Sequence, residues 1–169
     1  TLHTNDAPTT LPRLVDMDIP PFLVAFTANI IVAQRLVRKI CEHCKKEYTL
    51  EKKAIDELSR LVDGKKLLEI FKNEKINLKK EEANLESMTF FRGEGCNRCG
   101  KSGYKGRIGI YEILEIDSDL INKINQRATA KEIKEYALAH GMLTMAQDGI
   151  IKAKLGITTI EEVLRATRE

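Results

Sequence analysis

The sequence predicts a mixed α/β chain: a short α/β segment, a four-cysteine zinc subdomain interrupted by helices, and a helical C-terminal part. Three observations carry this expectation. Every cysteine falls in one of two Cys-x-x-Cys pairs, Cys41/Cys44 and Cys96/Cys99. β-Branched and other apolar residues gather directly before the first pair, at Ile30, Ile31, Val32, Leu36, Val37 and Ile40, the composition of a strand. From Asp117 onward the apolar residues recur at three- and four-residue intervals, the spacing of amphipathic helices.

Residues 1–33 read as the tail of an α/β unit. Residues 1–4 leave a strand edge, residues 5–10 form a polar loop, and residues 11–17 are a short amphipathic run. Pro20-Pro21 then resets the chain ahead of the apolar Phe22, Leu23, Val24, Ala25 and Phe26. Residues 34–107 form the zinc subdomain, with residues 51–87 as a helical insertion. In that insertion Ile55, Leu58, Leu61 and Val62 recur at helical spacing, as do Leu67, Leu68, Ile70 and Phe71, and Asp63-Gly64 separates the two runs. The Lys-, Glu- and Asn-rich residues 73–87 read as exposed, and the insertion as a whole as a solvated helical excursion with no chemistry. Six of the ten glycines lie between Gly93 and Gly109, where tight turns can aim backbone amides at sulfur.

Residues 108–169 are a strand followed by helices. Residues 107–114 alternate as a strand does. Leu120, Ile121 and Ile124 share one helical face. Thr129-Ala130-Lys131-Glu132 is a capping box before Ile133, Tyr136 and Ala137, with Gly141 at the C-terminal stop. Met145, Ile150 and Ala153 mark a further helix ending near Gly156, and Thr159-Ile160-Glu161-Glu162 is a second capping box ahead of Val163 and Leu164. These apolar stripes are core and hold no cofactor box.

Two Cys-x-x-Cys knuckles can complete a tetrahedron of thiolates around Zn²⁺, so Cys41, Cys44, Cys96 and Cys99 are the expected metal ligands. The 51 residues between the pairs exceed the usual ribbon interval, which marks the insertion. Four cysteine ligands leave no open coordination position, so the zinc is expected to be structural. Disulfides are disfavoured because no secretory signal pattern is present. His43, inside the first knuckle, is expected to be exposed rather than a ligand, and His140 to sit at a helix C-terminus.

The run Gly95-Cys96-Asn97-Arg98-Cys99-Gly100-Lys101-Ser102 matches the string of a phosphate-binding P-loop. Its context does not. A P-loop needs a buried strand before it and a helix opening at Lys-Ser, whereas the glycine-rich residues that follow cannot start a helix. The string is a decoy.

Composition excludes several classes. Hydrophobic residues at 43% and charged residues at 31% describe an ordinary globular chain, and no apolar stretch reaches the length of a membrane span. With no initiating methionine and no signal pattern, the chain is expected to be part of a longer cytoplasmic protein. The net charge is only +3, but its positive excess gathers beside the knuckles. Arg35, Arg38, Lys39, Lys45 and Lys46 stand on one side, and Arg98, Lys101, Lys105 and Arg107 on the other. This ring either compensates a centre of formal charge −2 or meets an anionic partner.

Four segments stand in the order of one family: Thr1-Leu2-His3-Thr4-Asn5-Asp6-Ala7, Ala33-Gln34-Arg35-Leu36-Val37-Arg38-Lys39-Ile40-Cys41, Gly103-Tyr104-Lys105-Gly106-Arg107-Ile108-Gly109-Ile110-Tyr111-Glu112, and residues 142–167. Together they resemble the C-terminal part of the type II secretion and type IV pilus assembly ATPases. The resemblance implies the end of a RecA-like P-loop ATPase core over residues 1–33, in a homo-hexamer peripheral to the inner membrane on its cytoplasmic side. Such a motor would act with ATP and Mg²⁺ on an inner-membrane platform protein. It further implies that Thr1-Leu2-His3-Thr4-Asn5-Asp6-Ala7 is the family's histidine box and that His3 is catalytic near the γ-phosphate. By itself, a lone histidine beside a strand end is more often structural.

Without Walker A and B motifs, these 169 residues alone are expected not to hydrolyse ATP. Two other readings stand beside this one. A zinc-ribbon nucleic-acid-binding module would use the basic ring, although only 5% of residues are aromatic, none of them Trp, so nucleic acid is not the expected partner. A dithiol redox element would use either cysteine pair, and tight zinc retention would reject it.

Overall fold

The computed structural model describes residues 4–76, 78–79, 82 and 84–168. Among the described residues, eight α-helices and four strands make up a mixed α/β chain. In chain order these are α1 (Thr10–Asp16), α2 (Pro21–Thr27), β1 (Ile30–Ile40), β2 (Lys45–Thr49), α3 (Lys52–Leu61), α4 (Gly64–Asn73), β3 (Thr89–Gly93), β4 (Tyr104–Glu115), α5 (Ser118–Asn125), α6 (Ala130–Ala139), α7 (Met145–Lys154) and α8 (Ile160–Thr167). A single 3₁₀ turn, Asn97–Cys99, lies inside the second knuckle.

The strands form two two-stranded sheets, β1 with β4 and β2 with β3. β2 and β3 run antiparallel, with Lys45 opposite Gly93, Glu47 opposite Phe91 and Thr49 opposite Thr89. β2 begins one residue after Cys44 and β3 ends three residues before Cys96. The pairing therefore closes the 51-residue interval at its base, with α3 and α4 between the paired strands.

By compactness the chain falls into two units, each discontinuous in sequence. The first comprises Thr1–Gln34 and Tyr111–Met145, the second Arg35–Ile110 and Ala146–Arg168. In the first, Leu11 of α1, Val24 and Ala25 of α2, Leu114 of β4, Leu120 and Ile124 of α5 and Ile133 of α6 share one core. Several large apolar side chains of that unit nonetheless face outward, Phe22 at 59% exposure and Phe26 at 72% among them. In the second unit the buried side chains include Leu58 of α3, Leu67 and Phe71 of α4, Phe90 of β3, Ile150 of α7 and Val163 of α8.

Local chemistry accounts for several helix ends. Pro21 occupies the first turn of α2, where a missing N–H costs nothing. The Asp63 side chain accepts from Lys65 N and Lys66 N to start α4, and Asp117 accepts from Leu120 N to start α5. At α6 the capping box is reciprocal. Glu132 N donates to Thr129 Oγ1 and Thr129 N to Glu132 Oε2. Gly141 follows at φ +91°, the left-handed conformation of a helix stop.

The second predicted capping box forms only in half. Thr159 accepts from Glu162 N, but the Glu162 carboxylate turns away to Arg38 and Arg165. The expectation that residues 73–87 are merely solvated also needs correction. Glu82 is buried and paired with Lys154, and Leu85 packs inside the second unit. A buried carboxylate is tolerated there because every donor it needs arrives with it.

Candidate metal centre

β1 ends at Ile40 and delivers Cys41 and Cys44 in one turn, closed by Cys44 N donating to Cys41 O at 3.2 Å. The second knuckle is built the same way, with Cys99 N to Cys96 O at 3.2 Å and Lys101 N to Cys96 O at 2.8 Å. Two backbone bonds lock the knuckles together. Cys41 N donates to Gly103 O at 2.9 Å, and Glu94 N to Cys44 O at 3.0 Å. Close backbone passage makes this possible, since a Cβ on Gly93 would stand 2.1 Å from Gly103 O and one on Gly103 2.4 Å from Gly93 O. Glycine is required at both.

The four sulfurs converge. They lie within 4.8 Å of one another, with Cys41–Cys96 and Cys44–Cys99 at 3.9 Å and Cys96–Cys99 at 3.7 Å. A tetrahedron with metal–sulfur bonds of about 2.3 Å has edges of about 3.8 Å. All four cysteines are free thiols, and these separations are far beyond the ~2.05 Å of a disulfide bond. The donor set fits a four-thiolate metal ion.

The surroundings prepare the sulfurs for that role. Cys99 Sγ accepts from Cys96 N at 3.1 Å and Gly103 N at 3.3 Å. The Cys96 N–H, opposed by desolvation and aided by Gly103, draws the Cys99 thiol from 9.0 down to about 6. Desolvation pushes the Cys44 thiol up to about 12. Backbone donors thus favour the anion at one sulfur, and a cation must supply the rest. His43 takes no part. It is exposed, with the Arg98 Nη1 group 2.8 Å from its Nε2. His140 caps α6, its Nδ1 donating to Tyr136 O at 2.8 Å while its ring stacks on Tyr136. His3 lies outside the described residues.

The decoy string lacks a P-loop's shape. Gly95, Gly100, Lys101 and Gly103 all have positive φ, and Ser102 Oγ bonds to the carbonyls of Cys99 and Tyr104. β4, rather than a helix, follows it.

Much of the basic ring is spoken for. Arg38 donates to Glu162, itself 1% exposed, through both its backbone N and Nη2, at 2.9 and 2.7 Å. Its guanidinium also lies 4.1 Å from the centre of the Tyr104 ring. Arg165 adds two more bonds to the same carboxylate. Burial alone would raise the Glu162 carboxyl, but hydrogen bonds from Arg165 and Arg38 hold it at about 2. Arg35 donates to Ala166 O, and Lys46 pairs with Glu94 at 2.7 Å. Tyr104 Oη meets Thr159 Oγ1 at 3.1 Å. This brace of Arg38, Tyr104, Thr159 and Glu162 was not foreseen, although the segments containing Arg38 and Tyr104 are two of those that carry the family resemblance.

A four-thiol centre braced by α8 within a small α/β chain defines a candidate metal-binding region. Residues 1–165 match the type II/IV secretion system protein family, and the chain belongs to that family. It is 38% identical over its whole length to the type IV pilus assembly ATPase PilB of Thermus thermophilus, spanning 17% of that protein. It is 35% identical to the type II secretion system protein HxcR of Pseudomonas aeruginosa and 36% identical to the type II secretion system ATPase E of Vibrio cholerae. In each case all of this chain is covered, against 28% and 29% of those two relatives. Among the described residues no helix is long and apolar enough to cross a membrane.

Proposed function

We propose that this chain is the C-terminal region of a hexameric motor ATPase that drives type IV pilus assembly or type II secretion. The observation that carries the reading is the similarity, over all 169 residues, to proteins named for those activities. On this reading residues 1–33 are the end of a RecA-like core, residues 34–107 the zinc subdomain and residues 108–169 a strand with a helical subdomain. The outward-facing Phe22 and Phe26 suit a unit that packs against more protein. The intact motor would hydrolyse ATP with Mg²⁺ at the cytoplasmic face of the inner membrane and transmit the motion to a platform protein there.

Within that assembly the metal is zinc, held by Cys41, Cys44, Cys96 and Cys99, and its work is structural. His3 stands near the γ-phosphate as a sensor or charge stabiliser. The residues present offer neither a working P-loop nor an Mg²⁺ box, so the isolated 169 residues hydrolyse no ATP. Turnover above a His3→Ala control would refute that statement. The nucleic-acid reading loses support because Arg38, Lys46 and Arg98 already have protein partners.

The experiment is elemental analysis and ATPase assay of the full-length protein. One zinc per chain is expected, falling below a tenth in the Cys41→Ser/Cys96→Ser variant, with loss of ordered structure around the knuckles because metal binding and local folding are one free energy. Wild-type protein purified without metal, fully folded and active, would overturn the structural role.

A further inference from the structure

Glu112 ends the run Gly103 to Glu112 and is 4% exposed, yet it pairs with no cationic side chain among the described residues. Its two oxygens are divided between two backbone donors. Oε2 accepts from Ala7 N at 3.0 Å, and Oε1 from Met145 N at 3.1 Å. Met145 is the first residue of α7, so Glu112 satisfies an N–H that the helix itself leaves unpaired. Ala7 is fully buried and is the last residue of the segment Thr1-Leu2-His3-Thr4-Asn5-Asp6-Ala7.

That segment is clasped a second time. Asp6 Oδ1 accepts from Thr9 N and Thr9 Oγ1, at 3.0 and 2.7 Å, while Oδ2 accepts from Lys134 Nζ of α6 at 2.9 Å. Thr4 Oγ1 meets Thr10 Oγ1 at 2.9 Å. Ala7 is thus tied through Glu112 to β4 and the start of α7, Asp6 to α6 and Thr4 to α1, by groups that the chemistry of the metal centre never uses. A carboxylate is specifically required at Glu112, since it alone offers an acceptor to each of two separate N–H groups. An amide would turn its NH₂ toward one of them.

We infer that Glu112 is a positioning residue for ATP hydrolysis: by joining the backbone at Ala7 to the start of α7, it anchors the chain four residues after His3. This rests on the reading of His3 given above. Reactive groups misplaced by about an ångström lose on the order of a hundredfold in rate, and two residues acting through one catalytic group are non-additive.

The test uses the full-length motor, with kcat and KM for ATP measured in wild type, Glu112→Gln, His3→Ala and the double variant. Glu112→Gln is expected to lower kcat between about tenfold and a hundredfold with KM for ATP changed less than about twofold, and to have no further effect in the His3→Ala background. Wild-type kcat in Glu112→Gln, or effects of the two changes that multiply, would overturn the inference while leaving His3 catalytic. Wild-type kcat in His3→Ala would instead bring down the reading of His3, and the inference with it. Should Glu112→Gln not fold, Lys134→Met releases the Asp6 clasp from the half-exposed side. The same kcat-only, His3-dependent loss is then expected, and a loss confined to thermal stability would count against the inference.

Discussion

Lys154 and Glu82 form the most deeply buried ion pair among the described residues. Both side chains are almost wholly buried, and Lys154 Nζ also donates to Thr89 O at 2.9 Å. Burial would raise the Glu82 carboxyl, but Lys154 and the N–H groups of Thr89 and Lys79 hold it at about 2, below its ordinary 4.5. A lowered carboxyl contributes stability that is complete above its unfolded value and disappears as pH falls through its folded one. That contribution should therefore be full above about pH 4.5 and be lost towards pH 2. Glu162, also held at about 2, acts in the same direction. In urea unfolding, wild type should lose roughly 1–3 kcal/mol more than Glu82→Gln between pH 5 and pH 2, and equal losses would contradict the assignment. Lys154→Met should cost about 3–5 kcal/mol at neutral pH by stranding the carboxylate, and adding Glu82→Leu should recover most of it.

At the scale of elements, α7 and α8 touch so closely that a Cβ on Gly149 would lie 2.7 Å from Val163 Cγ1. Alanine is the better helix former by about 1 kcal/mol, but the fully buried, β-branched Val163 cannot turn aside. Gly149→Ala should therefore destabilise by about 1–2 kcal/mol through overpacking, and Val163→Ala should lessen that penalty when combined with it. Thr129→Ala should cost about 1 kcal/mol as an exposed cap. Thr159→Ala should cost more, because its hydroxyl also meets Tyr104, and chemical denaturation of the two variants compares them directly.

The helices after Asp117 were legible because their apolar spacing and caps are local properties of the sequence. β2 was not. Lys45-Lys46-Glu47-Tyr48-Thr49 carries no strand pattern and becomes one through its register with β3, a long-range partner. α2 was hidden for a different reason, its apolar run having no polar face to mark a period. The cysteine pairs announced the centre, whereas the Arg38–Glu162 contact joins residues 124 positions apart and leaves no trace in spacing.

At the scale of the whole molecule, β2 and β3 pair at the base of the 51-residue interval, and Leu58, Leu67 and Phe71 within it are fully buried. Replacing residues 52–87 with a two-residue hairpin turn should keep the metal stoichiometry while lowering the unfolding midpoint of the second unit. Loss of metal in that variant would mean that the insertion shapes the centre itself.

The same strand pair sets the order of events when metal is captured. Each Cys-x-x-Cys turn can form by itself, but the two halves meet only after the chain between them has been folded back on itself. A two-thiol complex would then form first and wait on the zipping of Lys45 against Gly93 before the second pair of thiolates arrives. Uptake measured by stopped flow should thus show a second phase independent of metal concentration. Glu47→Pro, which touches no ligand, should slow that phase selectively.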